Sequence, residues 1–207
     1  ELQKKTHLYI PMEERNDYFT DFLLDNEGQL VFGKFIRKSG SDYISNMSII
    51  TKAPDATEFS VRDLNTAERY LDEIKIKVDN TNKRYLFTAL YYKQRRGNIE
   101  GLFMAIYDKG VDSVVKRVLA SFNDDLRRQA KGPDANLKLA FNDYFIKHVI
   151  MKKDGGFILV GESQYTTTRG NAFNRWDYLG WNNPWSSPLN YYYYSPYYSP
   201  WNSPWNR

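Results

Sequence analysis

Cysteine is absent from the 207 residues. That excludes disulfides, thiolate metal sites and a cysteine nucleophile, and it leaves the compartment open. No apolar run approaches the roughly 18 residues that span a bilayer as a helix, and no signal segment is visible at the start. Histidine is nearly missing too. His7 stands alone, and His148 lies in an apolar run, Ile146-Lys147-His148-Val149-Ile150, where a satisfied core or interface position is the expectation and a zinc site is not. Neither a Gly-x-Gly-x-x-Gly turn nor a Walker loop occurs, so the phosphate-cradling motifs are excluded.

Charge of a single sign is lacking as well. The 29 basic and 25 acidic residues give a net +4, and they are interspersed (Lys116-Arg117 before Asp124-Asp125). The densest basic spot, Arg95-Arg96, falls in an expected hairpin loop, so no stripe points to nucleic acid.

What the chain does have is one pattern written three times: a strand, a tight polar turn, a second strand. The turns are Asp25-Asn26-Glu27-Gly28, Asp79-Asn80-Thr81-Asn82 and Lys153-Asp154-Gly155-Gly156. Asp, Asn and Gly suit them because they tolerate positive φ or bond their own backbone. Around the first turn, strands are predicted over 18–24, 29–37, 44–52 and 58–64. Around the second they are predicted over 71–78, 84–92, 99–107 and 111–119. Ile74, Ile76 and Val78 alternate with Lys75 and Lys77, the signature of a strand with one wet face. In 29–37 the apolar residues crowd together, as in a strand buried on both faces.

Asp25 and Asp79 stand 54 positions apart, near the kelch-type repeat length of about 50 residues. The fold class expected is therefore all-β, with consecutive four-stranded antiparallel blades of a partial β-propeller. About two and a half blades fill residues 1–175.

One short helix is expected after the second blade. Asn123 caps it, Asp124 and Asp125 open it, Arg127, Arg128 and Lys131 close it, and Gly132-Pro133 stops it. A second helical turn near Thr66–Tyr70 competes with a strand beginning at Tyr70 and Leu71.

Residues 176–207 form a different region. They hold all five tryptophans and, apart from Asp177 and Arg207, no charge. Ser-Pro recurs at Ser187-Pro188, Ser195-Pro196, Ser199-Pro200 and Ser203-Pro204, which bars regular strand and helix and predicts an irregular aromatic insert or tail. Flat rings with a hydrogen-bonding edge suit sugar rings and partner proteins. The candidate binding residues are Trp176, Trp181, Trp185, Tyr191, Tyr192, Tyr197, Tyr198, Trp201 and Trp205. No catalytic residue, metal ligand or cofactor is predicted. Asp143 and Glu162 are the carboxylates a glycan-active hydrolase would use, a pair that spacing alone cannot place. Gly161-Glu162-Ser163-Gln164-Tyr165 mimics a nucleophile elbow but lacks its final glycine.

The run Asp154-Gly155-Gly156-Phe157-Ile158-Leu159-Val160-Gly161-Glu162-Ser163 resembles a blade signature of bacterial β-propeller repeats. With Phe141-Asn142-Asp143-Tyr144-Phe145, Phe173-Asn174-Arg175-Trp176-Asp177-Tyr178 and the Tyr/Ser/Pro-rich segment, the chain is similar to uncharacterised envelope proteins of Bacteroidota. The resemblance implies a propeller, a bacterial envelope location and further blades after Arg207. It implies a non-enzymatic binding or scaffold role toward an envelope protein or glycan. A glycan hydrolase and a purely structural propeller plugged by its aromatic insert are the alternatives.

Overall fold

The computed structural model describes residues 9–10, 17–36, 43–95, 97–131 and 136–163. These residues are mostly β, and the sheets are antiparallel. In the first sheet, β1 (Asp17–Phe19) and β2 (Leu23–Leu24) both lie along one edge of β3 (Leu30–Ile36), as a single strand broken in the middle. β4 (Asn46–Lys52) and β5 (Ser60–Leu64) follow in order.

The second sheet repeats the plan. β6 (Tyr70–Leu71) and β7 (Lys75–Asp79) share one edge of β8 (Arg84–Tyr92), and β9 (Ile99–Asp108) and β10 (Ser113–Ser121) continue outward. A third, two-stranded sheet pairs β11 (Tyr144–Met151) with β12 (Phe157–Ser163). The described residues thus hold two four-position meanders and a hairpin, not a closed ring.

The predicted strands are present with two corrections. The segments 18–24 and 71–78 are each split, and residues 66–69 form a turn rather than a helix. Ala67 and Glu68 take φ of 55° and 56°, outside the right-handed helical region, and Tyr70 begins a strand. Helix α1 (Asp124–Lys131) forms as expected, with the Asn123 side chain accepting from the Leu126 amide. Its Arg127 is buried and donates to the carbonyls of Phe122, Ile99, Glu100 and Leu137, which ties the helix to the second sheet.

The core lies between the first two sheets. Val31, Phe35, Met47, Ile49 and Leu64 from one meet Tyr85, Phe87, Ala89, Phe103 and Tyr107 from the other. Strand β9 alternates strictly, with Phe103, Ala105 and Tyr107 inward and Leu102, Met104 and Ile106 on the far face. The strand buried on both faces is β8 more than β3, because β11 of the third sheet packs over β7 and β8.

His148 is not in the core, one of the two positions expected for it. It is exposed, beside Ile150, Ile158 and Val160 on the outer face of the hairpin. Of the apolar neighbours that suggested a core position, Ile150 is exposed there, while Ile146, across a bulge from His148, and Val149 are buried.

Candidate functional site

The ring-bearing residues predicted to bind, Trp176, Trp181, Trp185, Tyr191, Tyr192, Tyr197, Tyr198, Trp201 and Trp205, lie outside the described residues. The two carboxylates considered for hydrolysis are described. Asp143 accepts from Lys131 at 2.5 Å and from the Ser163 hydroxyl at 2.9 Å, and Glu162 pairs with Lys147 at 3.2 Å. Each is engaged with its own cation. Ser163, the serine of the incomplete elbow, ends a strand and donates to Asp143.

The polar chemistry of the described residues collects at the hairpin ends. The Asp25 turn closes with Gly28 N–H to Asp25 O and Asp25 N–H to Gln29 O, with Gly28 at φ 78°. The third hairpin closes the same way: Gly155 N–H to Lys152 O, Lys152 N–H to Gly156 O, and Gly155 at φ 81°. Glycine is required at both because a Cβ is strained in that left-handed conformation.

The first two turns lie side by side, with the Asn26 amide donating to Asn80 Oδ1 at 2.8 Å. The spacing of 54 positions seen in the sequence is therefore a spatial repeat.

Above this contact sits an ion cluster. The Asp25 side chain is 2% exposed. It accepts from Lys109, from the Tyr85 hydroxyl at 2.8 Å, and from the amides of Glu27 and Gln29. Lys109 also reaches Glu27 at 2.7 Å, and Lys83 adds a second cation to Glu27 at 3.1 Å.

Burial alone raises the Asp25 carboxyl, but Lys109, Tyr85 and the Gln29 amide outweigh it and the net shift is downward. The same balance holds Lys109 above its usual value: burial lowers it, and Asp25 and Glu27 more than reverse that. Burial, then Asp25, pushes Tyr85 upward. Tyr107 stacks on Tyr85 with ring centroids 5.8 Å apart and donates to Asp112, which also pairs with Arg62. Burial and that bond raise Tyr107 to about 12. The Tyr85–Asp25 and Arg62–Asp112 contacts join the first two sheets.

A second feature lies on the far side of the second sheet. A cleft of about 340 Å³ runs between that sheet and the hairpin. Its floor is Met104, Ile106 and Val118, its wall Met151 and Phe157, and its rim carries Asp79, Arg84 and Lys116. Asp79 is tied to Asn82, and Arg84 lies 3.4 Å from Asp108. Lys116 is exposed and has no acidic partner among the described residues.

Among the described residues, no three His, Asp or Glu side chains gather to hold a metal ion, and no helix is long and apolar enough to cross a membrane. No protein-family profile, no curated protein and no solved structure matches this chain.

Sequence reasoning placed the turns but missed both features. Asp25 and Lys109 are 84 positions apart, and nothing local pairs them. The cleft had one legible signal, the period-2 run of Leu102, Met104 and Ile106, whose apolar residues on both faces demand cover on both sides.

Proposed function

We propose that this chain is a non-enzymatic binding or scaffold module of a bacterial envelope protein, in which the sheets are propeller blades and residues 176–207 carry the contact surface. The observation that carries this reading is the stacking of equivalent turns. Asn26 bonds Asn80 across the first two sheets, and the third hairpin repeats the geometry of the first. Repeated sheets packed face to face make a rigid platform, and a platform positions contact residues on an appended segment.

The fate of the acids supports a scaffold over a hydrolase. General acid catalysis needs a carboxyl held protonated near neutral pH. The shifted carboxyls Asp25, Glu27 and Asp154 all move the other way, each beside a lysine. The tail offers five tryptophans and seven of the chain's tyrosines in 32 residues with two charges. That composition fits a surface for sugar rings or an aromatic-lined protein contact.

The test is a glycan array run beside a pull-down from envelope extract, with the wild type and a variant carrying Ala at Trp181, Trp185, Trp201 and Trp205. Binding should vanish while amide protection in β3, β8 and β9 stays unchanged. Full binding by the variant overturns the proposal. Hydrolysis of an array glycan that is abolished by Asp143→Asn or Glu162→Gln would install the enzyme reading instead.

A further inference from the structure

Five of the six sheet edges formed by described strands are protected against further pairing, that of β11 by a bulge at Lys147. β1 with β2, and β6 with β7, are broken edges. β5 presents Arg62 and Asp63, and β10 carries a bulge between Val114 and Lys116 together with Lys116 and Arg117. Breaks, bulges and charges are the usual devices that keep an edge from recruiting a strand. The edge formed by β12 has neither break nor bulge, and its one charge, Glu162, lies near its end. Phe157-Ile158-Leu159-Val160-Gly161 is unbroken, uncharged and free of proline.

The equivalence of the hairpins says what belongs there. In the first sheet the turn bond between Asp25 and Gln29 sets the ladder so that Leu30 and Phe32 direct their amides outward, to β4. The matching bond between Lys152 and Gly156 directs the Phe157 and Leu159 amides to the edge that no described strand pairs with. β3 and β8 each receive an antiparallel third strand at this position. The third hairpin, packed over β7 and β8, leaves the half-buried Met104 and Val118 of β9 and β10 to line the open cleft where such a strand would lie.

We propose that the β12 edge and this cleft form a strand-addition site for an extended segment of a separate polypeptide. That segment is apolar at alternate positions, to cover Met104 and Val118, and carries an acidic residue for Lys116. Main-chain bonds to Phe157 and Leu159 supply affinity, and the side-chain pattern supplies selectivity.

A second copy does not fit. Antiparallel β12–β12 pairing needs a two-fold axis normal to the sheet. That axis puts both second sheets on one side, and the copy's β7 and β8 would then occupy the space of β9 and β10. The chain's own residues fit poorly: 164–175 carry two arginines and no acid for Lys116, and 176–207 have five prolines and one acid, Asp177.

The probe is a short synthetic peptide alternating valine with threonine, one valine replaced by glutamate, added to the full chain. Amide exchange at Phe157 and Leu159 should be fast in the chain alone and slow by at least about tenfold with the peptide. Leu159→Pro, which removes an outward amide, should weaken binding about tenfold with core protection retained. Lys116→Glu, a surface change that leaves folding aside, should reverse preference toward a peptide with lysine in place of glutamate. Unchanged exchange with the peptide, or equal affinity for both peptides in wild type and Lys116→Glu, overturns the proposal. So does protection already present in the chain alone that is lost when residues 164–207 are removed, or protection that grows with protein concentration.

Discussion

The Asp25 turn and the Asp154 turn are the same object locally and opposite objects in the fold. Both close a hairpin with the same two backbone bonds and a glycine near φ 80°. In both, an aspartate side chain accepts turn amides: Glu27 and Gln29 for Asp25, Gly156 for Asp154. Yet the Asp25 side chain is buried under Lys109 and Tyr85, while that of Asp154 is 64% exposed and, beyond its own turn amide, meets the exposed Lys152. The difference comes from the neighbouring sheet. The first turn has the second sheet beside it, with Asn80, Tyr85 and Lys109 reaching across. Local sequence makes the turn, and the adjacent repeat decides what it is worth.

The sharpest way to break this comparison is to remove each aspartate. Asp25→Ala leaves the Tyr85 hydroxyl and the Lys109 ammonium short of their buried acceptor. The expected loss is about 3 kcal/mol, the low end for breaking a buried pair, because Glu27 still holds Lys109. Asp154→Ala should leave the urea midpoint where it was, since solvent already screens that pair.

Acid unfolding separates the two further. Asp25 is depressed in the folded state, so its contribution is complete above its ordinary value of 3.8 and disappears as pH falls through the folded value. Wild type should therefore lose stability below about pH 4, and Asp25→Asn should flatten that limb. At the alkaline end the sign reverses. Tyr107 ionises near 10 when unfolded and at about 12 when folded, so stability falls as pH rises between those values. An acid limb in Asp25→Asn as steep as in wild type would show that the cluster is not what holds the sheets at low pH.

The second contrast lies one step along each hairpin. Val31 and Ile158 are equivalent, each three residues past the turn glycine and on the same side of its hairpin. Val31 is fully buried against the second sheet, and Ile158 is 52% exposed. Val31→Ala should cost about 2 to 3 kcal/mol, because it leaves a cavity in the core. Ile158→Ala should cost less than about 1 kcal/mol, because little apolar surface is removed from cover there. Equal losses in denaturant titrations would mean that the outer face of the hairpin is covered in solution.

These pairs also show what a reader of the sequence can and cannot extract. Turns, strand alternation and the helix caps are local: Asp25, Gly28, Asn123 and the Ile74–Val78 alternation determine their own surroundings within a few residues. The repeat of 54 positions was legible for the same reason, as two copies of one local signal. Burial was not. Ile146-Lys147-His148-Val149-Ile150 has the composition of a core strand, and His148 is nonetheless exposed, because cover comes from whatever sheet lies alongside. The Asp25–Lys109 pair joins the turn of one sheet to that of the next, and the cleft needs two sheets to exist. Both are products of packing between repeats, which no window along the chain displays.

The smallest effect tests the turns themselves. Gly28 and Gly155 share the left-handed conformation, so alanine at either position should cost about 1 kcal/mol in backbone strain. The surroundings then add a difference. A Cβ at Gly28 would stand 3.3 Å from Pro54 Cγ, a ring atom that yields little, whereas at Gly155 the nearest atom is Asn82 Nδ2 at 3.5 Å, an ordinary contact. Gly28→Ala should therefore be the worse of the two by a few tenths of a kcal/mol, read as a lower urea midpoint with unchanged slope. An asparagine, which tolerates positive φ better than alanine, should recover part of the strain at both sites. It should recover more at Gly155, where the larger side chain has room. If asparagine rescued Gly28 as fully as Gly155, the crowding by Pro54 would be irrelevant, and the two turns would differ only in the ion cluster above the first.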